Sequence, residues 1–167
     1  KLAVLHYERA IKLNPNLAEA HFNLGSLFQE QKKFPEAIRR YKAAVKIAPD
    51  YTEAFFNLGV IKNLQDKTEE AEKYYHQALN INESYWQAHF NLAVLVQATE
   101  PELAKDYYRK AIKHNPNHGP SFFNLAVCFF NMEEFEQAHY YFTLGGEKDW
   151  PTTTEGASKS ISVARSL

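Results

Sequence analysis

The chain has 167 residues, 45% of them hydrophobic and 23% charged, with a formal net charge of -1 at pH 7. That apolar share is too high for a disordered chain, and the near-neutral balance gives no bulk attraction to nucleic acid or anionic membrane. The length allows one domain with a sizeable core, no run of about 18 apolar residues offers a membrane span, and the single Cys128 excludes an internal disulfide. No leader-like segment stands at Lys1, and a cytoplasmic location is expected.

The first element, Lys1–Leu13, is a helix carrying Ala3, Tyr7 and Ala10, followed by a turn at Pro15. Residues 18–51 form a longer unit. Phe22, Leu24, Leu27 and Phe28 recur at helical spacing, Pro35 suits the first turn of a second helix, and Ala37, Tyr41, Ala44 and Val45 continue it to Pro49. The pattern then repeats. Residues 52–85 carry Leu58, Gly59, Ala71, Tyr75 and Ala78 at the same offsets, with Glu83 in place of the terminal proline, so a continuous helix is possible there.

Residues 86–118 carry Leu92, Ala93, Ala104, Tyr108, Ala111 and Pro116, with one residue deleted between the two halves. Residues 119–150 carry Leu125, Ala126, Phe129, Ala138 and Phe142. The triplet Phe-Asn-Leu opens all four units, its copies 34, 34 and 33 residues apart, a period that marks a stacked-repeat architecture. Gly145 and Gly146 are expected to stop the last second helix early. Residues 151–167, with Ala157, Ile161, Ala164 and Leu167 at helical spacing, read as a capping helix or a tail.

Small residues at Gly25, Gly59, Ala93 and Ala126 follow each buried Leu, where the paired helix must come close, and the second-helix alanines answer them. These residues resemble the tetratricopeptide repeat, W-x2-L-G-x2-Y, A-x3-F, P over 34 residues. The resemblance covers nearly the whole chain and implies an all-α fold, a right-handed superhelical solenoid of antiparallel helix pairs. Residues 17–150 supply four units, and residues 1–16 match the second helix of a truncated one.

In that family the first helices line the concave face, and positions 2, 5, 6, 9, 12 and 13 of each unit point into it. The implied peptide-binding residues are therefore Phe22, Phe56, Phe90 and Phe123, Asn23, Asn57, Asn91 and Asn124, with Val60 and Val94. A carboxamide offers a donor and an acceptor, which matches the main chain of an extended peptide. Such a row resembles the asparagine ladders in the repeat regions of O-GlcNAc transferase and kinesin light chain. Phe at this position also has a plainer role, packing against the neighbouring repeat.

No groove position is Lys or Arg, and Glu19, Glu30 and Glu53 make the N-terminal half acidic. A chaperone C-terminal carboxylate ligand, which needs a basic clamp, is not expected, and neither is nucleic acid. Nucleotide loops, HExxH and cysteine clusters are absent, so no catalytic residue, cofactor or metal is expected. His114 and His118 are separated by helix-breaking Pro116 and read as a solvated turn. His21 and His89 read as half-buried packing, Cys128 as core, and one Tyr of each pair at Tyr74-Tyr75, Tyr107-Tyr108 and Tyr140-Tyr141 as core with the other at the seam. Lys62 stands where other units have Phe28, Val96 and Phe129, so it either snorkels outward or marks a change in packing. The expected function is a protein-interaction scaffold holding an extended peptide. Two alternatives are the substrate-recruiting region of a larger, glycosyltransferase-like enzyme and self-association through the open N-terminal edge.

Overall fold

The structure, a computed structural model, describes residues 2–146. Among these residues every regular element is a helix: α1 (Leu2–Leu13), α2 (Ala18–Glu30), α3 (Phe34–Ile47), α4 (Thr52–Leu64), α5 (Thr68–Ile81), α6 (Trp86–Val96), α7 (Pro101–His114), α8 (Gly119–Asn131) and α9 (Phe135–Gly146). None of them is long and apolar enough to cross a membrane. Four hairpins, α2/α3, α4/α5, α6/α7 and α8/α9, form the units, and each second helix also packs on the first helix of the next unit. The fold is an all-α solenoid. The expected capping helix lies outside the described residues.

Each hairpin closes on its small residue. A Cβ on Gly25 would lie 2.9 Å from Tyr41 Cδ1, and one on Gly59 2.6 Å from Tyr75 Cε1, so the buried tyrosine ring occupies the space a larger residue would need. Tyr41, Tyr75 and Tyr108 are fully buried, alongside Leu24, Leu58 and Leu92. Burying each such side chain contributes about 1.5–3 kcal/mol.

The turns inside the hairpins have a common device. Lys32, Asp66 and Glu133 adopt left-handed φ of 58°, 58° and 63°. The next residue's N–H then bonds five residues back: Lys33 to Phe28 O at 2.8 Å, Lys67 to Lys62 O at 3.0 Å and Glu134 to Phe129 O at 2.9 Å. The third unit lacks this closure. Its missing residue shortens α6 to Trp86–Val96, and Glu100 N bonds Val96 O at 2.7 Å instead.

Two expectations need correction. Glu83 does not fuse helices: α5 ends at Ile81 and α6 begins at Trp86. Asn82 Oδ1 accepts from Ser84 N at 3.1 Å and Ser84 Oγ at 2.7 Å, an Asx turn that forms without the proline, and Asn14 and Asn115 make the same backbone bond beside Pro15 and Pro116. Nor does α9 stop before its glycines. It is helical through Gly146, because Gly145 is buried where a Cβ would meet Phe122 Cβ at 3.1 Å. The glycine there permits close packing rather than a break.

Candidate functional site

The four asparagines of the repeated triplet lie on α2, α4, α6 and α8, each half-buried. Two of the carboxamides are tied to the preceding unit. Asn57 Nδ2 donates to the Tyr41 hydroxyl at 3.2 Å and Asn91 Nδ2 to the Tyr75 hydroxyl at 3.4 Å, while Asn124 bears on the ionisation of Tyr108. Tyr41 in turn donates to Gln29 Oε1 at 2.8 Å, with Ser26 Oγ 3.1 Å away, and Tyr108 donates to Gln97 Oε1 at 2.9 Å. A hydroxyl whose proton goes to glutamine must accept from asparagine. That fixes the orientation of the Asn57 carboxamide and leaves its Oδ1 and second N–H unused by the tyrosine. Burial raises the pKa of all three tyrosines, Tyr75 to about 12, and Asn57, Asn91 and Asn124 oppose the shift.

The phenylalanines of the triplet carry out part of the scaffold's packing. Phe22 meets Tyr41 at 5.5 Å between ring centroids and stacks on Tyr51 at 4.9 Å. Phe56 meets Tyr75 at 5.7 Å and Tyr85 at 5.3 Å, and Phe90 meets Tyr108 at 5.8 Å and His118 at 4.9 Å. Phe123 packs on Phe142 at 5.9 Å. Each phenylalanine is half-buried, so each packs on the scaffold and leaves part of its ring exposed. Val60 and Val94 are also half-buried, whereas Leu64, Val127 and Phe130 on the same helices are exposed.

Charge on this face is one-sided. Glu19, Glu30 and Glu53 are exposed, and neither Glu19 nor Glu53 has an ion-pair partner among the described residues. Tyr51 feels both: burial raises its pKa first, then Glu53 and Glu19. The one lysine on a first helix, Lys62, turns away from the face. Its stem is buried and its amine pairs at 2.6 Å with Glu70 of α5, a carboxylate that is itself exposed.

Sequence reasoning missed a second buried lysine. Lys105 Nζ lies 2.8 Å from Glu134 and 3.1 Å from Glu102, and 4.7 Å from the centroid of Phe129. The Glu102–Lys105 spacing was visible, but the bridge to the fourth unit was not. The histidines have packing and capping roles. His21 Nε2 donates to Pro15 O at 3.0 Å and His89 Nε2 to Glu83 O at 2.9 Å, which ties each first helix to the turn before it. Because a carbonyl only accepts, the proton sits on Nε2, and each Nδ1 is buried without a hydrogen-bond partner. Both rings are buried rather than half-buried. His114 stacks on His89 at 5.9 Å, while His118 contacts Trp86 at 4.4 Å and Ser121 Oγ at 2.7 Å. The two histidines of that turn therefore face different partners. Cys128 is buried, as expected. Tyr74 and Tyr107 are half-buried beside buried Tyr75 and Tyr108, but neither Tyr140 nor Tyr141 is fully buried, because Phe142 takes the corresponding place.

Stacked helical hairpins with an amide- and aromatic-rich first-helix face define a class of repeat scaffolds for protein–protein interaction. Comparison with known proteins identifies the family. Tetratricopeptide-repeat profiles match residues 18–84 and 107–140, and a TPR-repeat profile matches residues 1–32. The chain belongs to the tetratricopeptide repeat (TPR) family. No curated protein matches it.

Among solved structures, MamA is similar with a TM-score of 0.77 and 22% identity over 86% of this chain and 85% of that one. PilF of Pseudomonas aeruginosa gives 0.79 and 22%, over 87% and 67%. YrrB, described as a TPR protein with an unusual peptide-binding site, gives 0.67 and 20%, over 85% and 74%. At these identities the likeness shows the shared fold.

Proposed function

We propose that this scaffold holds an extended peptide segment along its first-helix face, with Asn57 and Asn91 as the central hydrogen-bonding residues. The observation that carries the reading is the tyrosine-anchored carboxamide pair. Tyr41 and Tyr75 each fix one N–H of their asparagine, so the side chain is held in place before a ligand arrives, and less freedom is lost on binding. Val60, Val94 and the exposed ring edges of Phe22, Phe56, Phe90 and Phe123 add apolar contact. The peptide-binding site described for YrrB, on the same fold, supports the class of ligand without identifying it.

The test is a peptide-display selection against the chain, run beside an Asn57→Ala/Asn91→Ala variant whose helicity matches wild type. Enrichment of extended peptides by wild type alone is the expected result. Identical enrichment by both, or by neither, would overturn the reading.

A second reading, self-stacking, draws on α1, which buries no residue and exposes Leu2, Leu5 and Leu13 by 69%, 62% and 80%. Light scattering that shows mass rising with concentration, and returning to monomer in a Leu5→Lys/Leu13→Lys variant, would support it.

A further inference from the structure

Resting on the peptide-binding reading, we infer that the ligand is an extended segment with apolar side chains along one edge and Lys or Arg on the opposite edge, confined to the end that lies over the first two units. The argument starts from the order of residues along a first helix. At 1.5 Å per residue, the second position of a unit lies about 6 Å to one side of its asparagine, and the ninth to thirteenth positions about 5–10 Å to the other. A chain that hydrogen-bonds a row of carboxamides presents its N–H and C=O groups to the helices edge-on. Its side chains then alternate toward the two edges of the face.

Those two edges differ chemically. One edge carries polar Gln29 and Glu30 on α2, then turns apolar with Val60 and Leu64 on α4, Val94 on α6, and Val127 and Phe130 on α8, of which Leu64, Val127 and Phe130 are 60%, 36% and 43% exposed. The other carries Glu19 on α2 and Glu53 on α4, then uncharged Gln87 and Pro120 on α6 and α8. Both carboxylates are exposed and have no ion-pair partner among the described residues, and both act on Tyr51, whose ring stacks on Phe22 at 4.9 Å. A ligand cation entering there meets two negative charges and aromatic faces together. Charge complementarity thus places the basic residues over the first two units. Neighbouring first helices lie about 10–12 Å apart, one helix diameter, so the two cations stand about two to four residues apart on the ligand.

The experiment is a display selection with random twelve-residue peptides, followed by fluorescence anisotropy of the most enriched peptide made synthetically. Expected is an alternating apolar pattern with Lys or Arg near one end only. Glu19→Gln/Glu53→Gln should raise Kd about three- to tenfold and flatten its dependence on salt. Val127→Ser/Phe130→Ser should raise Kd at least as much and leave the salt dependence intact. The inference is overturned if the enriched peptides carry no such pattern, or if the two variants act alike. In that case the underlying reading survives provided Asn57→Ala/Asn91→Ala still abolishes binding. Absence of any enriched peptide would overturn both.

Discussion

Replacing Tyr41 by Phe removes one oxygen from a fully buried ring and leaves the packing in place. The hydroxyl donates to Gln29 at 2.8 Å, accepts from Asn57 at 3.2 Å and lies 3.1 Å from Ser26. A net hydrogen bond contributes about 0.5–1.5 kcal/mol, and half-buried partners recover part of it by bonding water. The expected cost is therefore about 1–2 kcal/mol. Tyr75→Phe is the internal control. That hydroxyl has one partner, Asn91, at 3.4 Å, near the limit of a useful bond, on a ring just as buried. Its loss should cost about 0–0.5 kcal/mol. Urea unfolding of both variants, with unchanged slope against denaturant, measures the difference. A Tyr75→Phe cost equal to or above that of Tyr41→Phe would refute the reasoning. The same oxygen has a signature in alkali. The folded state holds Tyr75 neutral up to about 12, whereas the unfolded chain ionises it near 10. Its contribution is intact below about 10 and is lost as pH rises through that window. Tyr75→Phe removes this part of the alkaline loss.

Three further outcomes are expected. Lys32→Gly and Glu133→Gly should each raise stability by about 0.5–1 kcal/mol in thermal unfolding, because a left-handed non-glycine residue costs more than the entropy glycine adds, and Asp66→Gly should gain less since Asp tolerates that region. His89 has its pKa lowered, first by burial and further by Lys110 and His114, so its contribution is full above the ordinary value of about 6.5 and is lost as pH falls below it. Denaturation midpoints should drop between about pH 7 and 5, less steeply in His89→Gln, and an NMR titration should place His89 below free histidine. Glu134→Ala should cost about 1–3 kcal/mol by leaving buried Lys105 with Glu102 alone, whereas Lys105→Met should cost less, because an apolar chain fills the same space without a charge.

The fold was legible in the sequence because its signals are periodic. Four copies of Phe-Asn-Leu, the paired small residues and the prolines all report local geometry that every unit repeats. The family and its all-α solenoid follow from them. What escaped notice lies between units or departs from the period. The partner of Asn57 is a tyrosine sixteen residues upstream on another element, and only packing brings them together. The bridge from Lys105 to Glu134 spans a seam for the same reason. Gly145 misled because a helix-breaking propensity of about 1 kcal/mol is smaller than the demand for close contact with Phe122. The left-handed turn residues carried no glycine to betray them.

The tyrosine oxygens also bear on how the array comes apart. A solenoid behaves as a row of coupled segments, in which the weakest coupling sets where a folded block meets an unfolded one. The Tyr41 bond ties the first unit to the second with well-satisfied partners, whereas the Tyr75 bond between the second and third is long. The third unit also lacks the left-handed turn closure of its neighbours. Under force or mild denaturant, the junction between the second and third units should therefore open at a lower load than that between the first and second.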